Sequence, residues 1–261
     1  MVPTDGAHGL QEIWVCHLGT VPYGEGVAIQ ETLRAARLAG ELPDLLLTLE
    51  HPPVYTRGRR ADAAELPFPE AFYEDRGIEL HTTDRGGRIT YHGPGQLVGY
   101  PIMGVTDVHR HLRLMETAII DALSQAGVSA RSRHAEGIDY TGVWVAERKI
   151  ASLGVHVSRG ISTHGFAVNV ENDLEPFSWV IACGLAEVAM TSLAAESAGD
   201  SCESVSCFRR RVAHSFCAAH GRRQRLVSPR RLGISTANPI GGAERRPIKS
   251  ISTPVLEKVP A

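Results

Sequence analysis

Residues 148–170 read RKIASLGVHVSRGISTHGFAVNV. The runs KIASLGVHV and HGFAVNV carry the mixture of apolar and small residues expected of strands, and Ser158-Arg159-Gly160 between them supplies a turn. YTGVWV, at 140–145, precedes them across the short link Ala146-Glu147-Arg148. Links this short join antiparallel neighbours, since a parallel crossover needs a dozen residues or more.

Outward from this block the periodicity continues. QEIWVCHL (11–18) alternates as a half-buried strand, and Ile29, Leu33, Ala36 and Leu38 place a helix over Val27 to Ala39, closed by Gly40. LLLTLEH (45–51), bounded by prolines, suits a central strand, and Pro52 to Gly77 reads as a long loop. IELHTTD and RITYH flank Gly86-Gly87 and predict a hairpin, after which HGPGQ interrupts and LVGYPI resumes as a strand. The clearest amphipathic helix spans Val108 to Ala126, with Leu112, Met115, Ile119, Ile120 and Leu123 on one side and Gly127 as its stop. The remainder to about Gly221 is helical in character.

The chain has 261 residues, 43% hydrophobic and 21% charged, enough for one well-buried domain and too apolar for wholesale disorder. No apolar run approaches the roughly 18 residues that cross a bilayer. The start, MVPTDGAHGLQEIWVCHL, lacks the pattern of a secretory signal, so a cytoplasmic protein with no membrane partner is expected. Five Cys without a CxxC pair fit reduced thiols better than bridges or a zinc site. Residues 221–261 hold seven Arg and two Lys against two Glu, a formal +7 that leaves −9 on residues 1–220 of a chain totalling −2. The acidic body argues against nucleic acid as a partner. The Pro, Ser and Arg-rich residues 221–261 are expected to be a disordered tail behind a domain of residues 1–220.

Of the 27 basic residues 24 are Arg, and Lys149 is the only Lys before position 249. A lone lysine in a chain that otherwise uses Arg suits a task needing an ammonium whose pKa can move, the plain alternative being an exposed Lys after a turn. Period-two alternation puts Lys149 on the side of Ala151 and Leu153, and Gly154 within the same strand marks close approach by a ligand or another backbone. Arg85 to Gln96 carries four Gly and one Pro among Arg, Tyr, His and Gln, a composition for a backbone that something approaches closely, or for a hairpin with glycine-rich turns. His164 and Asn169 bracket a small-residue strand, where His164 reads more simply as a structural histidine than as a base. Cys183, followed by Gly184 in a polar turn, fits a nucleophile with a nearby backbone N–H, whereas Cys16, Cys202, Cys207 and Cys217 fit buried small hydrophobes.

HPPVYTRGRR, DRGGRITYHGPGQLVGYPI, RKIASLGVHVSRGISTHGFAVNV and ACGL…MTSL follow one another over roughly residues 10–218. Together they resemble the lipoyl(octanoyl) transferase family. The resemblance implies a single α+β domain, a mixed, largely antiparallel sheet flanked by helices, as in the biotin- and lipoate-protein ligase catalytic domain. It implies Cys183 as acyl-thioester nucleophile and Lys149 as the lysine that lowers its pKa and carries the proton. Arg85, Gly86, Gly87, Arg88, Ile89, Thr90, Tyr91 and His92 match the substrate-binding loop. Ser152, Leu153, Gly154, Gly165, Phe166 and Ala167 match the rest of the pocket, with His164 and Asn169 in support. The implied donor is octanoyl-acyl carrier protein, and the acceptors are apo lipoyl domains and the glycine cleavage H protein, with no cofactor or metal. Both partners are usually acidic, so Arg57, Arg59, Arg60, Arg85 and Arg88 are candidates for a basic entrance. Ala182 stands where the family usually carries Pro. An ATP-dependent lipoate or biotin ligase, or an inactive lipoyl-domain-binding protein, are the competing readings of the same motifs.

Overall fold

The computed structural model describes residues 11–181, 188–197 and 203–235. The chain opens with β1 (Glu12–Thr20), α1 (Tyr23–Leu38) and β2 (Leu45–Glu50). There follow β3 (Val54–Arg57), α2 (Glu70–Glu74), β4 (Glu79–Thr82), β5 (Ile89–His92), β6 (Gln96–Ile102) and α3 (Val108–Gln125). The second half holds β7 (Arg131–Ser132), β8 (Gly142–Val145), β9 (Arg148–Ser158), β10 (Ile161–Asn169), α4 (Leu193–Glu196), α5 (Val205–Ala219) and β11 (Arg223–Leu226). An eight-stranded sheet has the order β11-β1-β2-β6-β10-β9-β8-β7, and a three-stranded sheet the order β4-β3-β5. In the large sheet β11, β1 and β2 run parallel and every other pair is antiparallel, so the sheet is mixed and largely antiparallel as expected.

Alternation along the central strands assigns the helices to the two faces. Phe166 and Val168 of β10 join Met115 and Ile119 of α3 and Phe208, Val212 and Phe216 of α5 in one apolar cluster. Ala167 joins Leu45 and Leu47 of β2, Tyr100 of β6 and Leu33 of α1 in another. Both helix faces are amphipathic, and burying such stripes, at about 25 cal/mol per Å² of apolar surface, is what holds layers together. Asp107 caps α3 by accepting the Arg110 amide at 3.0 Å, and Gly127 follows its end at φ +83°.

Four expectations are corrected. The segment Pro52–Gly77 is not a bare loop, because Val54–Arg57 forms the middle strand of the small sheet. It lies between the two strands expected to form a hairpin, pairing parallel with β4 and antiparallel with β5. Four residues between a proline pair and Gly58 carry too short a pattern to show a pairing this distant in sequence. The fold also continues past Gly221: β11 pairs parallel with β1, and Leu232 beyond it is 9% exposed. RQRL has no apolar alternation because β11 is a sheet edge, where three of its four residues are exposed. Residues 236–261 of the expected tail lie outside the described residues. Among the described cysteines Cys16 and Cys217 are buried, but Cys207 is exposed, contrary to expectation. Among the described residues no helix is long and apolar enough to cross a membrane.

Candidate active site

A cavity of about 250 Å³ lies where the 85–90 segment crosses β9 and β10. Glycine decides this crossing. The Gly86 amide donates to the Val155 carbonyl at 2.9 Å, and a Cβ on Gly154 would stand 2.7 Å from the Gly86 oxygen. The expected close approach at Gly154 is therefore the contact of two backbones. Arg85 is buried and staples the loop from within, its guanidinium donating to Thr56 O at 2.6 Å, Thr56 Oγ1 at 2.7 Å and Arg88 O at 2.8 Å. It is therefore not part of a basic entrance. Arg60 and Arg88 do line the cavity, but Arg60 is paired with Asp139 at 3.0 Å and Arg88 with Glu65 at 2.7 Å. Glu65, 3% exposed, also accepts the Ile89 amide at 3.2 Å, and its carbonyl accepts the Ile181 amide at 3.0 Å. Sequence reasoning missed Glu65 because it sits in the stretch read as loop.

Lys149 is 2% exposed and lines this cavity. The pairing of β8 and β9 shifts register between Val143 and Trp144, which makes Ile150 an extra residue opposite them. The bulge breaks the expected alternation. Lys149 and Ser152 line the cavity, while Ile150 and Ala151 lie in the apolar core. Gly142 makes room for the lysine, since a Cβ there would lie 2.7 Å from Lys149 Cε. The Gly142 amide is fixed by Glu116 Oε1 at 2.9 Å, and Lys149 Nζ sits 5.3 Å from the Trp144 ring centroid. The isolated glycine within YTGVWV is the signal that could have found this position. Residues 189–191 return alongside: the Lys149 amide donates to Ala189 O and the Thr191 amide to Lys149 O, both at 2.9 Å. Cys183 lies outside the described residues.

At the far side of the cavity stand Tyr23, His92, Tyr100 and His164. His51, behind them, has Nδ1 2.6 Å from the Val21 carbonyl and Nε2 2.6 Å from the Tyr100 hydroxyl. A carbonyl only accepts, so Nδ1 carries the proton and Nε2 accepts from Tyr100. Burial pushes His51 down to about 4 and His92 down to about 3, so both rings are neutral near pH 7. His164 adopts φ +56° and donates its amide to Gln30 Oε1 at 2.6 Å, with Nε2 2.8 Å from Asp84 Oδ1. It is a hydrogen-bonded histidine, as expected, and it also lines the cavity.

Of the sequence-predicted residues, Arg85, Gly86, Gly87, Arg88, Ile89, Thr90 and His92 line the cavity with Lys149. Ser152, Leu153, Gly154, His164, Gly165, Phe166 and Ala167 complete the predicted wall. Tyr91 does not belong to it: alternation along β5 turns its ring into the small sheet's core, 5.4 Å from Tyr55 and 5.5 Å from Phe177 between centroids. Asn169 stands behind the wall, bonded to Gln96. Val98 and Leu112 add apolar lining, and Val108 and Ile138 add exposed apolar surface. The cavity can hold an apolar chain along one wall and present a buried amine to it.

The family described as lipoyl protein ligase A/B catalytic domain matches residues 22–216. An octanoyltransferase of Rubrobacter xylanophilus is 49% identical over 182 residues, covering 68% of this chain and 80% of that protein. One from Solibacter usitatus is 46% identical with the same coverage, and the mitochondrial octanoyltransferase LIP2 of Arabidopsis thaliana is 40% identical over 71% of this chain and 79% of its own. Among solved structures, lipoate-protein ligase A bound with ATP superposes with a TM-score of 0.67 at 17% identity, covering 82% of this chain and 87% of that one, a likeness of fold. With the family matched across the cavity-bearing domain and relatives this similar over most of their length, the chain belongs to the lipoyl protein ligase A/B catalytic-domain family and, within it, to the octanoyltransferases, a group of acyltransferases.

Proposed function

We propose that the protein moves an octanoyl group from octanoyl-acyl carrier protein to one lysine of an apo lipoyl domain, the glycine cleavage H protein being one such acceptor. The Cys183 thiolate attacks the donor thioester carbonyl, a C–S bond to Cys183 forms, and the carrier's thiolate leaves with a proton from the Lys149 ammonium. Lys149 is then a neutral amine. The acceptor's neutral ε-amine attacks octanoyl-Cys183, the C–N bond forms, its proton passes to Lys149, and Cys183 departs as thiolate. Both residues are returned to their starting state, and exchange of a thioester for an amide is downhill without a further co-reactant. Arginine could pair with the thiolate but not take up the proton.

The observation that carries this reading is Lys149, a lysine 2% exposed on the wall of an acyl-sized cavity with Gly142 cleared to receive it. Ile89, Val98, Leu112, Leu153 and Phe166 supply apolar contacts for the chain, each buried CH₂ contributing about 0.8 kcal/mol. The test is intact-mass analysis after incubation with octanoyl-acyl carrier protein. A wild-type adduct of octanoyl mass that hydroxylamine removes and that Cys183→Ser lacks is expected; no adduct, or one unaffected by that substitution, ends the proposal.

A further inference from the structure

Asn169 lies outside the cavity, yet its carboxamide joins elements that meet there. It is 4% exposed, at the last position of β10. Its Nδ2 donates to the Thr191 carbonyl at 2.9 Å, while its Oδ1 accepts from Gln96 Nε2 at 2.9 Å and from Asn172 Nδ2 at 3.3 Å. Thr191 belongs to the segment that pairs with both backbone groups of Lys149. Gln96 Nε2 also donates to Tyr91 O at 3.1 Å, which turns its Oε1 to His92 Nδ1 at 2.7 Å. An amide oxygen only accepts, so Nδ1 bears the proton of neutral His92 and Nε2 is the acceptor nitrogen of a ring that lines the cavity. With two donors converging on Oδ1 and a carbonyl on Nδ2, the Asn169 amide has one permitted orientation.

Building on the Cys183 and Lys149 reading, we propose that Asn169 is a positioning residue for acyl transfer: by holding the Thr191 carbonyl it keeps residues 189–191 paired to Lys149, and through Gln96 it sets the His92 tautomer. Burial makes this arrangement rigid, because Thr191 is 2% exposed and its carbonyl would lose the Asn169 donor in a place where water does not replace it. Asparagine has the required length and both kinds of group. Aspartate, when ionised, keeps the acceptor for Gln96 and Asn172 but faces the Thr191 carbonyl with a second acceptor. When protonated, it can donate there again.

The test compares wild type, Asn169→Asp, Asn169→Ala and Ser215→Ala, the last a buried polar loss in α5 outside this network, all at matched folded fraction. Wild type must first yield octanoyl-Cys183; if it does not, the reading of the reaction fails and the proposal with it. Given that adduct, both Asn169 variants are expected to lose about 10–100-fold in kcat with acceptor KM within about twofold, the loss that slight misplacement of reacting groups brings. The ratio of Asn169→Asp to wild-type rate is expected to recover several-fold from about pH 8 to pH 6 as the buried carboxyl gains its proton, with no recovery in Asn169→Ala. If Asn169 variants fold poorly, Gln96→Glu, which when ionised cannot donate to Asn169, is expected to give the same kcat loss. Variants whose kcat and pH ratio match those of Ser215→Ala would show Asn169 to be structural only and overturn the proposal.

Discussion

Gly142→Ala tests whether the site depends on the space left for Lys149. The added Cβ would stand 2.7 Å from Lys149 Cε and 2.5 Å from the Ala151 carbonyl oxygen, where ordinary non-bonded contacts are about 3.5–4.0 Å. Relief requires the lysine tip to move by about 1 Å and the β8 and β9 backbones to part at Ala151. Gly142 also sits at φ +146°, where a side chain adds strain of about 1–3 kcal/mol. A displacement of that size at reacting groups costs about 100-fold in rate. Urea unfolding is therefore expected to show a loss of about 2–4 kcal/mol, and single-turnover transfer a fall of about 100-fold with acceptor KM little changed. Gly160→Ala is the control: its φ is +79° and no atom lies within 4 Å of the added methyl, so it pays the strain alone. Equal rates in the two variants, or full transfer by Gly142→Ala, would refute the claim that this glycine exists to seat the lysine.

Three further outcomes follow from the same geometry. Lys149→Arg is expected to bind the carrier protein yet lose about 100–10,000-fold in transfer, since the guanidinium keeps its proton; isothermal titration and a gel-shift of the acceptor domain read the two effects apart. Arg85→Lys exchanges a fork that reaches Thr56 and Arg88 for one ammonium, and is expected to cost about 3 kcal/mol in thermal or urea unfolding and to expose residues 85–88 to protease. Stability itself should fall on acidification: His51 and His111 titrate near 4 and His92 near 3 in the fold against about 6.5 when unfolded, each depressed chiefly by burial. The unfolded chain thus binds more protons below about pH 6.5, and each histidine removes up to about 1.4 kcal/mol per pH unit down to its folded value. A flat urea midpoint between about pH 6.5 and pH 4 would contradict that assignment.

Lys149 and Cys183 stand out in the sequence itself, one as a lysine among arginines and the other as a thiol followed by glycine. Strands with local partners are equally legible: β8, β9 and β10 follow from short turns and alternation because each pairs with its sequence neighbour. What the chain alone withholds is every pairing across distance. β3 enters between β4 and β5, and β11 adds to β1 after more than 200 residues, with neither segment carrying a periodicity of its own. Alternation also fails at Ile150, where one bulged residue transfers Lys149 from the side of Ala151 to that of Ser152. Tyr91 sits amid a binding motif yet packs into a core, and Glu65, in a stretch resembling loop, ties Arg88 and Ile89 to Ile181. Residue type announces chemistry, because few side chains can perform it. Whether a side chain reaches a cavity depends on register, bulges and backbone contacts made by distant segments, and those are settled only when the layers pack.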